Sequence, residues 1–92
     1  MKISAVVPCF NAAPWIGAAL ASVAAQRLPV YEILVIDDGS TDGSVEAIEA
    51  SGVPVRLLRT GRMGGAGARN AGIRAATGDW IAFLDADDVW HE

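Results

Sequence analysis

The sequence has a single cysteine, Cys9, and a single histidine, His91. A lone thiol excludes an internal disulfide and any all-cysteine metal centre, and it fits a reducing compartment. One imidazole excludes a multi-histidine zinc site. Positive charge is also scarce. Seven Lys and Arg against eleven Asp and Glu leave a net charge of −4, which argues against a nucleic-acid partner. Long apolar runs are missing too. The first one, after Met1-Lys2, is broken by Pro8, too early for a signal-peptide core and far too early for a membrane span. Repeats, low-complexity tracts and linkers are absent. These absences point to a small, soluble, cytoplasmic domain.

What is present is apolar content of 52%, enough for one modest core over residues 1–92. Apolar stretches alternate with helical patterns. Residues 3–8 (ISAVVP) read as a strand ended by proline. Over 12–26, Ile16, Leu20 and Val23 recur at helical spacing, with Asn11 as the expected cap and Pro14 tolerated in the first turn. Residues 31–37 (YEILVID) form a near-continuous β-rich run, the pattern of a strand covered on both faces. A short helix follows near 43–51. Residues 53–59 (VPVRLLR) read as an edge strand, because Pro54, Arg56 and Arg59 suit a sheet margin. A small-residue helix over about 66–77 and a last strand over 79–85 complete the chain. The pattern β-α-β-α-β-α-β predicts an α/β, Rossmann-like parallel sheet with helices on both faces. The expected strand order is 3-2-1-4, with the fourth strand exposing its outer edge as a surface for self-association. The chain stops just after that strand, where an α/β enzyme normally continues, so it reads as a half-domain of a longer protein.

In an open parallel sheet, ligands bind at the carboxyl ends of the strands. Those ends carry Pro8-Cys9-Phe10-Asn11, Asp37 to Asp42, Arg59 to Gly67, and Asp85 to Asp88, so the distinctive polar residues share one rim. Asp85 and Asp87 in D-A-D, if extended, share one side while Ala86 faces the other. Two hard oxygen donors side by side suit Mg2+ or Mn2+ completed by waters and a diphosphate; the plainer reading is a solvated acidic turn. In VIDDGSTD, Asp42 or Thr41 is expected to cap the next helix and Gly39 to supply a turn. That leaves Asp37 and Asp38 as a pair at a strand end, where a carboxylate could accept the imide N–H of uracil.

The stretch GRMGGAG lies after the third strand, not the first, and lacks the third glycine of a dinucleotide fingerprint. It reads as a loop before a helix N-terminus, with Arg62 and Arg69 near enough to hold phosphate oxygens. Its plainer reading is close helix packing. Cys9 reads as a buried apolar residue rather than a nucleophile. Trp80 and Trp90 read as packing residues, and His91 as an exposed one.

Taken together, VVPCFN, EILVIDDGSTD, GGAGARNAGI and GDWIAFLDADDVW resemble, in order and spacing, the nucleotide-sugar-binding half of inverting family 2 glycosyltransferases, which have the GT-A fold. The resemblance implies that Pro8 and Phe10 line the nucleotide pocket and that Asp38 contacts the base, with Asp37 beside it. It implies Arg69 near the nucleotide, Asp85 near the ribose, and Asp87 on a divalent metal, Mn2+ or Mg2+. The implied donor is a UDP-sugar and the acceptor a saccharide or lipid-linked saccharide, with the parent protein cytoplasmic or at the inner membrane face. The general base for inversion lies further along in that family, so this portion alone is expected to be inactive. Two other readings remain at this point. FLDADDV also fits haloacid dehalogenase-like phosphatases, with Asp85 as nucleophile and Asp87 as acid/base. The chain could also be a non-catalytic nucleotide-binding or assembly domain.

Overall fold

The computed structural model describes residues 2–27 and 29–90. Four strands, β1 (Ile3–Cys9), β2 (Glu32–Asp37), β3 (Arg56–Arg59) and β4 (Trp80–Phe83), form one sheet in the order β3-β2-β1-β4, every pairing parallel. Helices α1 (Ala13–Ala24), α2 (Ser44–Ala50) and α3 (Gly64–Ala75) are the crossovers. The expected order and direction of all four strands hold.

Alternation along the two central strands divides the core. Ala5, Val7, Cys9, Ile33 and Val35 pack with Ile16, Leu20, Val23 and Ile48, which puts α1 and α2 on one face. Val6, Leu34 and Ile36 pack with Ala68 on the α3 face. Successive side chains of a strand point to opposite faces, so both faces of β1 and β2 must be apolar to be covered. The small residues of α3 follow from its closeness to the sheet. A Cβ on Gly72 would lie 2.4 Å from Val6 Cγ1, so helix backbone rests on a strand side chain.

Boundaries shift at several points. The third strand is only Arg56–Arg59, because Pro54 cannot donate to the ladder and the residues around it stay irregular. The last helix begins at Gly64, two residues before the expected start, and the last strand ends at Phe83 rather than Asp85. Asn11 is not the cap of α1. It takes a left-handed backbone (φ +50°), and Ala12 stands at the cap position without a side-chain bond. Trp90 packs against the core as expected, whereas Trp80 is 62% exposed on the outer edge of β4. His91 lies outside the described residues. Among the described residues no helix is long and apolar enough to cross a membrane.

At the amino ends of the strands, Glu32 accepts hydrogen bonds from Ser4 Oγ (2.7 Å), Thr77 N (2.7 Å), Thr77 Oγ1 (3.0 Å) and Arg56 (2.8 Å). One carboxylate thereby ties β1, β2, β3 and the turn before β4. Burial pushes its pKa up, but these donors outweigh that and bring it from 4.5 to about 2.

Candidate functional site

The carboxyl rim is built by two loops that hold each other. The loop after β2 supplies the bonds that α1 lacks at its own start. Ser44 Oγ accepts from Ala12 N (2.9 Å) and Asp42 Oδ2 accepts from Ala13 N (3.2 Å). Asp42 Oδ1 also accepts from Ser44 N (3.0 Å), within the start of α2. Ser40 Oγ accepts from Asn11 N (3.0 Å), and Asn11 Oδ1 accepts in return from Thr41 N (2.8 Å). The Ser/Thr/Asp half of VIDDGSTD therefore fastens the β1–α1 loop. Gly43, not Asp42 or Thr41 as expected, stands at the α2 cap position, and Asp42 holds the starts of both helices from just outside it.

Asp37 and Asp38 do not act as a pair. They continue the alternation of β2, so their side chains leave on opposite faces. Asp37 is fully buried on the α1/α2 side. Neither of its oxygens makes a hydrogen bond, and its ion contact is Arg59 Nε at 3.5 Å. Burying carboxylate oxygens without donors is costly. Asp38, 2% exposed, has the opposite condition. Its Oδ1 accepts from Thr60 Oγ1 (2.6 Å) and Met63 N (2.7 Å). Its Oδ2 accepts from Gly64 N (2.9 Å) and Arg62 Nη1 (3.2 Å). The hydrogen bond from Thr60 lowers its pKa; burial opposes this, and the Met63 and Gly64 N–H groups and Arg62 add to the lowering. Two N–H groups at the start of α3, those of Met63 and Gly64, are thus satisfied by a protein carboxylate, where a phosphate was expected.

Beside this clamp lies an open cleft of about 310 Å³, walled by Pro8, Phe10, Asn11 and Ala12 from the end of β1, Trp15 from α1, and Asp85-Ala86-Asp87 after β4. Asp85 and Asp87 are exposed and Ala86 between them is buried. The segment is a turn rather than extended strand, closed by Asp88 N donating to Asp85 O (3.0 Å). Asp85 is also contacted by Arg69 at 3.4 Å, both side chains about half exposed, which makes a weak pair in water. Among the described residues no three Asp, Glu, His or Cys side chains converge as a closed metal cage. Two carboxylates on one wall instead suit a hard cation that takes its remaining oxygens from water and substrate.

Four of the seven residues singled out from sequence, Pro8, Phe10, Asp85 and Asp87, therefore meet in one cleft. Arg69 reaches it through Asp85, while Asp37 and Asp38 stand outside its walls. Trp15, Ser40 and Ser44 were missed. Trp15 carried a usable signal, since the first turn after a rim loop must border whatever that loop borders. Cys9 is buried, its thiol pushed up by that burial and hydrogen-bonded toward Ser44, which fits a packing role.

Known proteins share this sequence pattern and fold. The chain is 40% identical over 90 residues to the UDP-Glc:alpha-D-GlcNAc-diphosphoundecaprenol beta-1,3-glucosyltransferase WfgD of Escherichia coli, covering 96% of this chain and 36% of that protein. Its fold matches the mannosyltransferase PcManGT from Pyrobaculum calidifontis, solved with GDP-Man and Mn2+, at a TM-score of 0.89 and 32% identity, over 97% of this chain and 28% of that one. It matches TarS of S. aureus in complex with UDP-GlcNAc at a TM-score of 0.83 and 33% identity, over 97% of this chain and 27% of that one. The chain spans between 13% and 36% of the length of the curated relatives it matches. The nucleotide-binding half of a GT-A fold is what the four strands build, and the family model removes the phosphatase alternative. It is that of glycosyl transferase family 2, it matches residues 4–92, and the chain belongs to that family.

Proposed function

We propose that this chain is the donor-binding part of an inverting glycosyltransferase, holding a nucleotide-diphosphate sugar together with a divalent metal. The observation that carries this is the meeting of Pro8 and Phe10 with Asp85 and Asp87 in one rim cleft of a family 2 fold. Structural neighbours solved with UDP-GlcNAc and with GDP-Man and Mn2+ support the substrate class and the cofactor.

Phe10, 42% exposed, offers a ring face to a base, and Pro8 shapes the wall beneath it. Asp38 stands on the base side, as an acceptor for a ring N–H and as the clamp of the Thr60–Gly64 loop. Asp37, fully buried, acts through Arg59 by holding that side chain at the rim. Asp85 accepts from the ribose, and Arg69, already beside it, neutralises charge near the diphosphate. Asp87 is the metal ligand. A bound Mn2+ or Mg2+ supplies Lewis-acid stabilisation of the leaving diphosphate. Inversion also requires a base on the far side of the sugar to take the acceptor proton. The acidic residues of this cleft are already assigned to ribose and metal. We therefore place the base, and the saccharide or lipid-linked acceptor, with residues outside this chain. A UDP-sugar as donor, a cytoplasmic or inner-membrane-face location, and self-association of the isolated chain through the exposed β4 edge belong to the same proposal.

Calorimetric titration of UDP into the chain, with Mn2+ and with a chelator, tests the reading. Asp87→Asn should abolish the Mn2+-dependent part of the affinity and leave the metal-free part unchanged. Equal Mn2+ dependence in wild type and variant would remove Asp87 from the metal. Glycosyl transfer by the 92-residue chain would show that the base is already present.

A further inference from the structure

Arg62 is the residue of the rim that the proposed function leaves without a task, and its contacts are specific. The loop after β3 passes through Arg62 with a left-handed backbone, φ +55°. Its stem crosses the turn after β2 where Gly39 has no side chain; a Cβ there would lie 2.9 Å from Arg62 Cγ. The guanidinium then sits over Phe10, with Cζ 3.6 Å from the ring centroid. Its Nη1 donates to Asp38 Oδ2 at 3.2 Å.

A planar delocalised group that stacks on Phe10 and donates an N–H to Asp38 makes the same two contacts that a nucleobase with a ring N–H would make. We propose that Arg62 occupies the base subsite as an internal surrogate for the nucleobase and has to leave before a nucleotide can bind there. This rests on Phe10 and Asp38 being the base-side residues.

Leaving is feasible on three grounds. The Arg62 side chain is 55% exposed, so much of its hydration is already in place. Asp38 keeps the Thr60, Met63 and Gly64 donors after Arg62 departs, so its buried carboxylate is not stripped. The stack and the half-hydrated ion pair are each weak. The exchange also selects. Uracil and guanine carry a ring N–H that replaces the lost donor. Cytosine and adenine present a lone pair at that edge, which would face the Asp38 carboxylate. Arg62 thus sets a threshold that only a donor base crosses without loss.

The test uses the 92-residue chain with UDP as probe. Removing the surrogate by Arg62→Ala should tighten UDP binding by roughly threefold to tenfold, the equivalent of one exposed stack and one half-exposed ion pair. Arg62→Lys, which keeps the charge without the flat face, should fall between. In wild type, the Arg62 side-chain NMR signals should be displaced by the Phe10 ring and return to ordinary positions on saturation with UDP. Tighter binding together with released signals supports the surrogate. Unchanged or weaker UDP affinity in Arg62→Ala, or Arg62 signals that stay ring-shifted in the UDP complex, overturns it while leaving the donor site intact. Failure of both wild type and Arg62→Ala to bind UDP at all would overturn the donor site as well.

Discussion

Replacing Asp38 by Asn changes one oxygen to an amino group and almost nothing in shape, so its effect isolates hydrogen bonding. The carboxylate is 2% exposed and accepts from Thr60, Met63, Gly64 and Arg62. If the amide places its NH2 at the first oxygen, the Thr60 hydroxyl can rotate to accept, but Met63 N–H then faces a donor. If it turns over, Gly64 N–H faces a donor and Arg62 is released to water. Either way one backbone N–H is left without an acceptor, which costs about 1–3 kcal/mol. The bonds that survive lose their charge assistance, roughly half their strength. The expected destabilisation is about 2–4 kcal/mol. A domain of this length is held by roughly 5–14 kcal/mol, so the change is large. Urea unfolding followed by tryptophan fluorescence measures it. Thr60→Val, which removes only the hydroxyl donor, should cost about 1 kcal/mol. The sign with pH is also fixed. A folded-state pKa below the ordinary value means stability that is present above the carboxylate range and lost as pH falls through it. The gap between wild type and Asp38→Asn should therefore narrow in acid. A variant within about 0.5 kcal/mol of wild type at neutral pH would refute the clamp, given the size of ordinary surface substitutions. The same arithmetic governs how nucleotide affinity is read in this variant. A weaker UDP complex reports loss of a base contact only if the Thr60–Gly64 loop has kept its place, which Thr60→Val establishes independently.

Other substitutions probe the frame around the site. The Glu32 pKa, lowered from 4.5 to about 2, contributes stability that is complete above pH 4.5 and lost as pH falls toward 2. Glu32→Gln should lower neutral-pH stability by about 1–2 kcal/mol and flatten the acid limb of the unfolding curve between those values; an unchanged acid limb would discard the network. Gly72→Ala forces a methyl group against Val6 and should cost about 1–3 kcal/mol in thermal or urea unfolding. Gly17→Ala, in the middle of α1 with nothing within 4 Å of the new Cβ, should instead stabilise by about 0.5–1 kcal/mol. Equal effects at these two glycines would contradict the close seating of α3 on the sheet.

The strand order was legible because it depends on composition along whole segments. Two mainly apolar runs, ISAVV and EILVI, had to be central, and VPVRLLR, with two arginines and a proline, had to be marginal. Segment ends were less legible because tertiary partners set them. Asn11 has the side chain of a cap, yet the α1 start is satisfied by Ser44 and Asp42 from another loop. A partner twenty-nine or more residues away leaves no local trace. Trp80 shows the same limit from the other side: its strand was expected at the sheet margin, yet the residue read as a packing one, and it is 62% exposed.

The rim shows most clearly which information a motif carries. DD in VIDDGSTD reads as two equivalent acids, but strand alternation sends one to each face, and the surroundings then separate them fully. Asp37 meets no hydrogen-bond donor and one distant guanidinium. Asp38 meets four donors, all of them from the Thr60–Gly64 loop some twenty residues later. The alternation was available from sequence, because the period of a strand is two. The donors were not, because they depend on β3 lying beside β2 and on its loop turning back over the strand end. One glycine of GRMGGAG gains its meaning from the same contact. Gly64 takes a left-handed backbone (φ +84°) where its N–H reaches Asp38, so the acidic motif and the glycine motif are two halves of one clamp. A substitution in either half should therefore disturb both the loop and the base side of the cleft. Pro8, Asp85 and Asp87, which face the cleft from β1 and from the turn after β4, should respond to ligand without responding to that loop, whereas Phe10, which lies under Arg62, should respond to both.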